Sequence, residues 1–128
     1  GNVYTDLFSP RAVSELLIYM ATRDDFPVFF DSLPILGVDG TETLTVTPDS
    51  PVAGKAAAKS GTTVDGDVLN QRGLLMTRAL AGYLTGKSGR ECVFGLYLNN
   101  VSAPDVLNDT LTIIADHGAI VEAIYERV

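Results

Sequence analysis

The chain has one cysteine and one histidine. A single cysteine excludes an internal disulfide framework and a cysteine-based zinc site. A single histidine cannot build a His-rich metal site. Cys92 lies in the apolar run Cys92-Val93-Phe94-Gly95-Leu96 and reads as a buried, inert thiol. His117 falls in a helical apolar pattern and reads as a helix-face residue rather than a catalytic base. Positive charge is scarce: 9 Lys and Arg against 16 Asp and Glu, a net charge of −7. That disfavours a general nucleic-acid binder, which shows a basic face. It leaves room for a local basic pocket. No apolar run approaches the ~18 residues that span a membrane. The chain opens at Gly1-Asn2-Val3 with neither an initiator methionine nor a signal peptide, as a processed fragment would. It shows no internal repeat, low-complexity tract or second-domain linker.

What is present fits a single segment over residues 1–128. The length is enough for a real core. With 46% hydrophobic and 20% charged residues, the composition is that of a globular domain. Residues 1–8 read as extended or irregular. Ser9-Pro10 marks a helix start, because serine caps free N–H groups and proline suits the first turn. Val13, Leu16, Leu17 and Met20 form one apolar stripe and predict a helix over 10–22. A short second helix fits 27–33, stopped by Pro34. Gly37-Val38-Asp39-Gly40-Thr41 is a turn by composition. Residues 42–53, with Pro48, Asp49, Ser50 and Pro51, read as a surface excursion.

Residues 55–60 read as a strand whose alanines suit close approach of backbone or ligand. Asp65-Gly66-Asp67 and Arg72-Gly73 make Thr62 to Leu74 a loop. Two strands, 79–85 and 91–98, flank the turn formers Gly86-Lys87-Ser88-Gly89-Arg90 and predict an antiparallel hairpin. Gly82 and Gly95 within them suggest bulges or close helix packing. From Pro104 a last helix runs to the C-terminus, with Ser102 and Asp105 as its capping box. Leu107, Leu111, Ile114, Val121, Ile124 and Tyr125 form its apolar face, and Gly118 is expected to loosen or bend it. This order predicts an α+β fold, an antiparallel sheet of about three strands covered by helices. So small a sheet needs its outer edge covered.

The stretch with chemical content is Lys59-Ser60-Gly61-Thr62. Side chains alternate along a strand, so Lys59 and Gly61 share one face and Ser60 takes the other. A strand bordering a cleft offers there an ammonium and a hydroxyl, and glycine leaves room for substrate backbone. The N–H just after the glycine can point at a developing oxyanion. Such a set binds a carboxylate and stabilises a tetrahedral intermediate. Taken alone, the tetrapeptide reads first as a solvated strand end.

Its surroundings are more specific. Phe30-Asp31-Ser32-Leu33-Pro34, Gly37-Val38-Asp39-Gly40-Thr41, Gly54 to Thr62, and Ala79-Leu80-Ala81-Gly82-Tyr83-Leu84-Thr85 follow in order. Together with the opening Asp6-Leu7-Phe8-Ser9-Pro10 they resemble the C-terminal part of the D-alanyl-D-alanine carboxypeptidase/endopeptidase family of low-molecular-mass penicillin-binding proteins, the peptidase S13 type. The resemblance covers nearly the whole chain. It implies the C-terminal portion of the penicillin-binding protein/serine β-lactamase-like fold, whose five-stranded antiparallel sheet carries helices on both faces.

In that family a lysine-threonine-glycine motif lies on the third strand, and Lys59, Ser60 and Gly61 match it. The resemblance implies that Lys59 supplies positive charge, that Ser60 binds the terminal carboxylate of D-alanine or of a β-lactam, and that Thr62 offers its N–H to the oxyanion hole. It implies no cofactor and no metal. The partners it implies are a peptidoglycan stem peptide or a β-lactam, with no nucleic acid and no membrane span. The implied location is periplasmic or otherwise extracytoplasmic.

Two departures stand out. Extra residues fill Val64 to Thr77, where the family makes a short turn; they read as a flap beside the cleft or as surface structure. The second departure is the nucleophile. The family uses the serine of a serine-x-x-lysine motif, and none of Ser9, Ser14, Ser32, Ser50, Ser60, Ser88 and Ser102 has lysine three residues on. The serine-x-asparagine motif is missing too. Tyr97-Leu98-Asn99 imitates its tyrosine form but stands on the wrong side of the lysine motif. In the family both motifs lie upstream, so this chain is expected to be inactive alone. Two alternatives stay open, a non-catalytic binding module of the same fold and a serine β-lactamase relative. A fragment of such a sheet is expected to dimerise or exchange domains.

Overall fold

The computed structural model describes residues 7–128. Residues 1–6, and with them most of the expected irregular opening and Asp6 of the opening motif, lie outside the described residues. Helix α1 spans Pro10–Met20, and the Ser9 hydroxyl caps it by accepting from the Ala12 N–H. Helix α2 spans Phe26–Asp31, with Pro27 in its first turn. Three long strands follow, β1 (Ala56–Asp67), β2 (Arg72–Thr85) and β3 (Glu91–Ala103), and then helix α3 (Val106–Arg127). The strands form one antiparallel sheet in the order β1-β2-β3. This is the expected α+β architecture.

Strand alternation divides the sheet into two faces. Ala81, Tyr83 and Gly95 look towards α1 and α2: the Tyr83 hydroxyl donates to the Leu17 carbonyl at 2.7 Å, and the Tyr83 ring meets Phe26, Phe29 and Phe30. Gly95 lets the α1 backbone in, since a Cβ there would lie 3.2 Å from the Pro10 carbonyl oxygen. Leu80, Leu84, Phe94, Ala56 and Ala58 look the other way and pack with Val121 of α3 into the core. Gly82 admits neighbouring strand rather than helix: a Cβ there would sit 2.2 Å from the Ala57 carbonyl oxygen. That is the close backbone approach the alanine run anticipates.

Four expectations change. Thr62 to Leu74 is not a loop: β1 and β2 continue through it and turn only at 68–71. Its polar, glycine-bearing composition is overridden by pairing, since β3 backs β2 as far as Gly73↔Ala103 and Arg72 bonds Asp67 across the turn at 2.9 Å. The added stretch is thus a β-ribbon prolonging the sheet, with one register break between Thr63 and Val64.

Residues 42–53 do not stay on the surface. They form no strand, but a 3₁₀ turn (Gly40–Leu44) and the chain after it bury Glu42, Thr45, Val46 and Val52. Ser102 does not cap α3, because β3 runs on to Ala103. Asp105 is the cap, accepting from the Asn108 N–H, while its own N–H donates to Asp109. Finally, the buried stripe of α3 is Ile113, Ile114, His117, Gly118 and Val121, with Leu107 and Leu111 exposed. Gly118 leaves the helix unbroken and marks its contact with residue 45, where a Cβ would lie 1.9 Å from the Thr45 carbonyl oxygen.

Candidate active site

The outer edge of β1 is covered only in part. Leu36 donates to the Ala56 carbonyl and Ala58 donates to the Pro34 carbonyl, both at 2.9 Å, and Ile35 bridges Ala57. Among the described residues this cover ends at Ala58. In an antiparallel ladder the N–H and C=O of alternate residues point to the same side. Ala56 and Ala58 point outward, so the backbone groups of Ser60 and Thr62 do as well, away from β2, and of these the Ser60 carbonyl is taken by the Lys59 ammonium.

The four predicted residues gather around this edge on different faces. Lys59 opposes Ala81 and Gly61 opposes Ala79, on the α1/α2 face. Lys59 is exposed, and its Nζ donates to the carbonyl of Ser60. Gly61 has φ outside the left-handed region, and nothing lies within 4 Å of where its Cβ would be. No packing or backbone demand within the described residues requires glycine there. Ser60 opposes Leu80 on the α3 face and is 9% exposed. Thr62 opposes Arg78 on that same face.

Arg78 was not singled out from the sequence. It is 3% exposed, its Nη1 donates to Thr62 Oγ1 at 2.9 Å, and its Nε is buried without a partner. Burial pulls its guanidinium below the ordinary arginine value, while the charge of Glu42 opposes the shift. Glu42 is fully buried, and Thr45 and Thr41 hydroxyls bond its carboxylate. His117 of α3 completes this polar group. Burial first, and Arg78 second, lower its pKa below the ordinary 6.5 against the pull of Asp116. A neutral imidazole at neutral pH results, its Nδ1 buried without a partner. It is on a helix face, as expected. One signal could have exposed Arg78: extending the β2 strand back from Ala79 gives it the same parity as Leu80, Gly82 and Leu84.

A well-formed cleft lies elsewhere. It measures about 710 Å³ and opens between α1, α2 and the far ends of β2 and β3, lined by Phe26, Phe30, Tyr83, Glu91 and Cys92 among others. None of Lys59 to Thr62 lines it. Cys92 is half-buried against this cleft, not buried as expected; burial still pushes its thiol up, more than Arg90 draws it down. Tyr97-Leu98-Asn99 lies within β3, where Asn99 accepts from the Thr77 hydroxyl at 2.6 Å. No helix of the described residues is long and apolar enough to cross a membrane.

Comparison with known proteins agrees with the fold. The profile of the D-Ala-D-Ala carboxypeptidase 3 (S13) family matches residues 3–116. Two crystal structures of penicillin binding protein 4 from Haemophilus influenzae share the fold, one of them in complex with a novel β-lactam. Each is 22% identical in sequence and superposes with a TM-score of 0.69 over 94% of this chain. The chain spans about a quarter of their length, 26% and 25%. No curated protein matches it. The resemblance drawn from the ordered motifs, to a C-terminal part of such an enzyme, is borne out, and so is the penicillin-binding-protein-like fold. The chain belongs to the D-Ala-D-Ala carboxypeptidase 3 (S13) family.

Proposed function

We propose that this chain supplies the carboxylate-binding wall and part of the oxyanion hole of a serine-type D-Ala-D-Ala carboxypeptidase or endopeptidase. Its substrates would be peptidoglycan peptides, cleaved through an acyl-serine intermediate. The observation that carries this reading is the open edge of β1: cover stops at Ala58, one residue before the Lys-Ser-Gly segment begins. An extended peptide end laid there would meet outward N–H groups, as in strand addition.

In this reading Lys59 provides positive charge at the site and Gly61 the space for substrate backbone. Ser60 holds the terminal carboxylate of D-alanine or of a β-lactam. The Thr62 N–H points at the oxygen that becomes negative when the carbonyl is attacked. The nucleophile comes from outside these residues. Residues 1–128 then form one segment of a larger catalytic domain, and the working place is outside the cytoplasmic membrane, where peptidoglycan lies. Exposed Leu7, Phe8, Leu16 and Val28, and the outer edge of β3, give the isolated chain a surface for dimerisation or domain exchange.

Labelling with a fluorescent penicillin tests the reading. The isolated chain should form no covalent adduct. The complete protein should form one that survives denaturation and disappears on Lys59→Ala. An adduct on the isolated chain, or none on the complete protein, would sink it; the second result would favour a non-catalytic module.

A further inference from the structure

Thr62 sits where the ladder restrains β1 least. On the outer side the Pro34–Leu36 cover has ended at Ala58. On the inner side the register breaks one residue later, between Thr63 and Val64. Because its own N–H and C=O point outward, Thr62 bonds β2 through neither group. It forms with Arg78 a non-hydrogen-bonded pair, the kind whose side chains come closest. A side-chain bond spans that position instead, from Arg78 Nη1 to Thr62 Oγ1.

Arg78 is an expensive way to fill a core position. A buried guanidinium without a carboxylate partner is destabilising. Among the described residues no carboxylate lies within ion-pair distance of Arg78; the charge of Glu42 offsets only part of the cost of burial, from farther off, and its carboxylate is engaged by Thr41 and Thr45. His117, pressed on the same face, offers no compensating charge. Leu80 and Leu84 show that an apolar side chain suits this face of β2.

We propose that Arg78 is a positioning residue for the Lys-Ser-Gly edge. It grips the Thr62 hydroxyl from the buried face and so fixes the direction of the Thr62 N–H on the open side. Its charge lies on the face that carries the Ser60 hydroxyl, where it favours an anion. This rests on the acyl-serine reading above and adds a residue outside the Lys-Ser-Gly segment to it.

The test uses the complete protein and the acylation rate by fluorescent penicillin per folded molecule, with melting temperatures alongside. Arg78→Met and Thr62→Val should each slow acylation about ten- to a hundredfold, the worth of one hydrogen bond to a charged group. The double variant should be no slower than the worse single one, because both remove the same contact. Thr62→Ser should regain at least half of the loss on a logarithmic scale. Wild-type rates in both single variants, or losses that multiply in the double, overturn the proposal. If Arg78→Met does not fold, Thr62→Val against Thr62→Ser decides alone: equal rates overturn the clamp. A wild-type protein that forms no adduct overturns the acyl-serine reading itself, a different result from variants that acylate like wild type.

Discussion

Two glycines of the sheet should respond in opposite ways to the same methyl group. At Gly61 the backbone is in the ordinary negative-φ region and no atom lies within 4 Å of the new Cβ. Alanine in a strand loses less conformational entropy on folding than glycine, so Gly61→Ala should stabilise the chain by about 0.5–1 kcal/mol. At Gly82 the methyl would lie 2.2 Å from the Ala57 carbonyl oxygen and 2.5 Å from Ala58 Cα. Both are backbone atoms of β1, which can yield only if the β1–β2 ladder opens. Gly82→Ala should therefore cost about 3 kcal/mol or more, the upper range for overpacking. Urea denaturation followed by circular dichroism reads both values. In the complete protein, Gly61→Ala should also lose penicillin acylation while its melting temperature holds. If Gly61→Ala lowers the unfolding midpoint as Gly82→Ala does, Gly61 has a packing partner. If it acylates at the wild-type rate, the space above Gly61 is not substrate space. Either result refutes the reasoning.

Leu80 is fully buried on the central strand, and Leu80→Ala should cost about 2–5 kcal/mol in equilibrium unfolding, the range for a core leucine; a loss under about 1 kcal/mol would show that the cavity collapses freely. His117 should make stability depend on pH. Its folded pKa lies below the ordinary 6.5, so the unfolded state binds the proton more readily. The stability is fully present above pH 6.5 and is lost as pH falls from there through the folded value. His117→Gln should flatten the slope in that window, and an unchanged slope would assign it to the carboxylates.

The parts of the fold legible in the sequence are those where local signal and tertiary context agree. Ser9-Pro10 caps α1 where expected because the cap is a local hydrogen bond. The hairpin of β2 and β3 turns at the residues whose composition announces it. Where the two conflict, tertiary context wins. Asp65-Gly66-Asp67 is poor strand sequence, yet it stays paired because Gly73↔Ala103 and Asp67–Arg72 hold the ribbon at either side of it. Leu107 and Leu111 satisfy a helical period and still face solvent. The period names a stripe, while the sheet selects which stripe is buried, and here it selects the one containing His117 and Gly118. Of the site, the alternation of Lys59 and Ser60 was readable from strand periodicity. Arg78 was not, because the segment before Ala79 reads as loop, which hides the parity it shares with Leu80, Gly82 and Leu84.

An open strand edge is normally a liability, since it invites pairing by any extended chain. The edge of β1 is open in a restricted way. At one end the Pro34–Leu36 segment fills it to Ala58. The outward carbonyl of Ser60 is engaged by the ammonium of Lys59. At the other end the N–H of Gly66, outward by the same alternation, is bonded by the Asp65 carboxylate at 2.7 Å, and the register break after Thr63 twists the strand. A long strand adding to β1 would have to displace these groups one after another. What is left between them, around the N–H groups of Ser60 and Thr62, suits a ligand only a few residues long. Removing one guard should therefore lengthen the usable edge: Asp65→Ala should raise self-association of the complete protein, measured by sedimentation, and leave acylation by penicillin in place. Unchanged sedimentation would mean that the twist alone protects the edge.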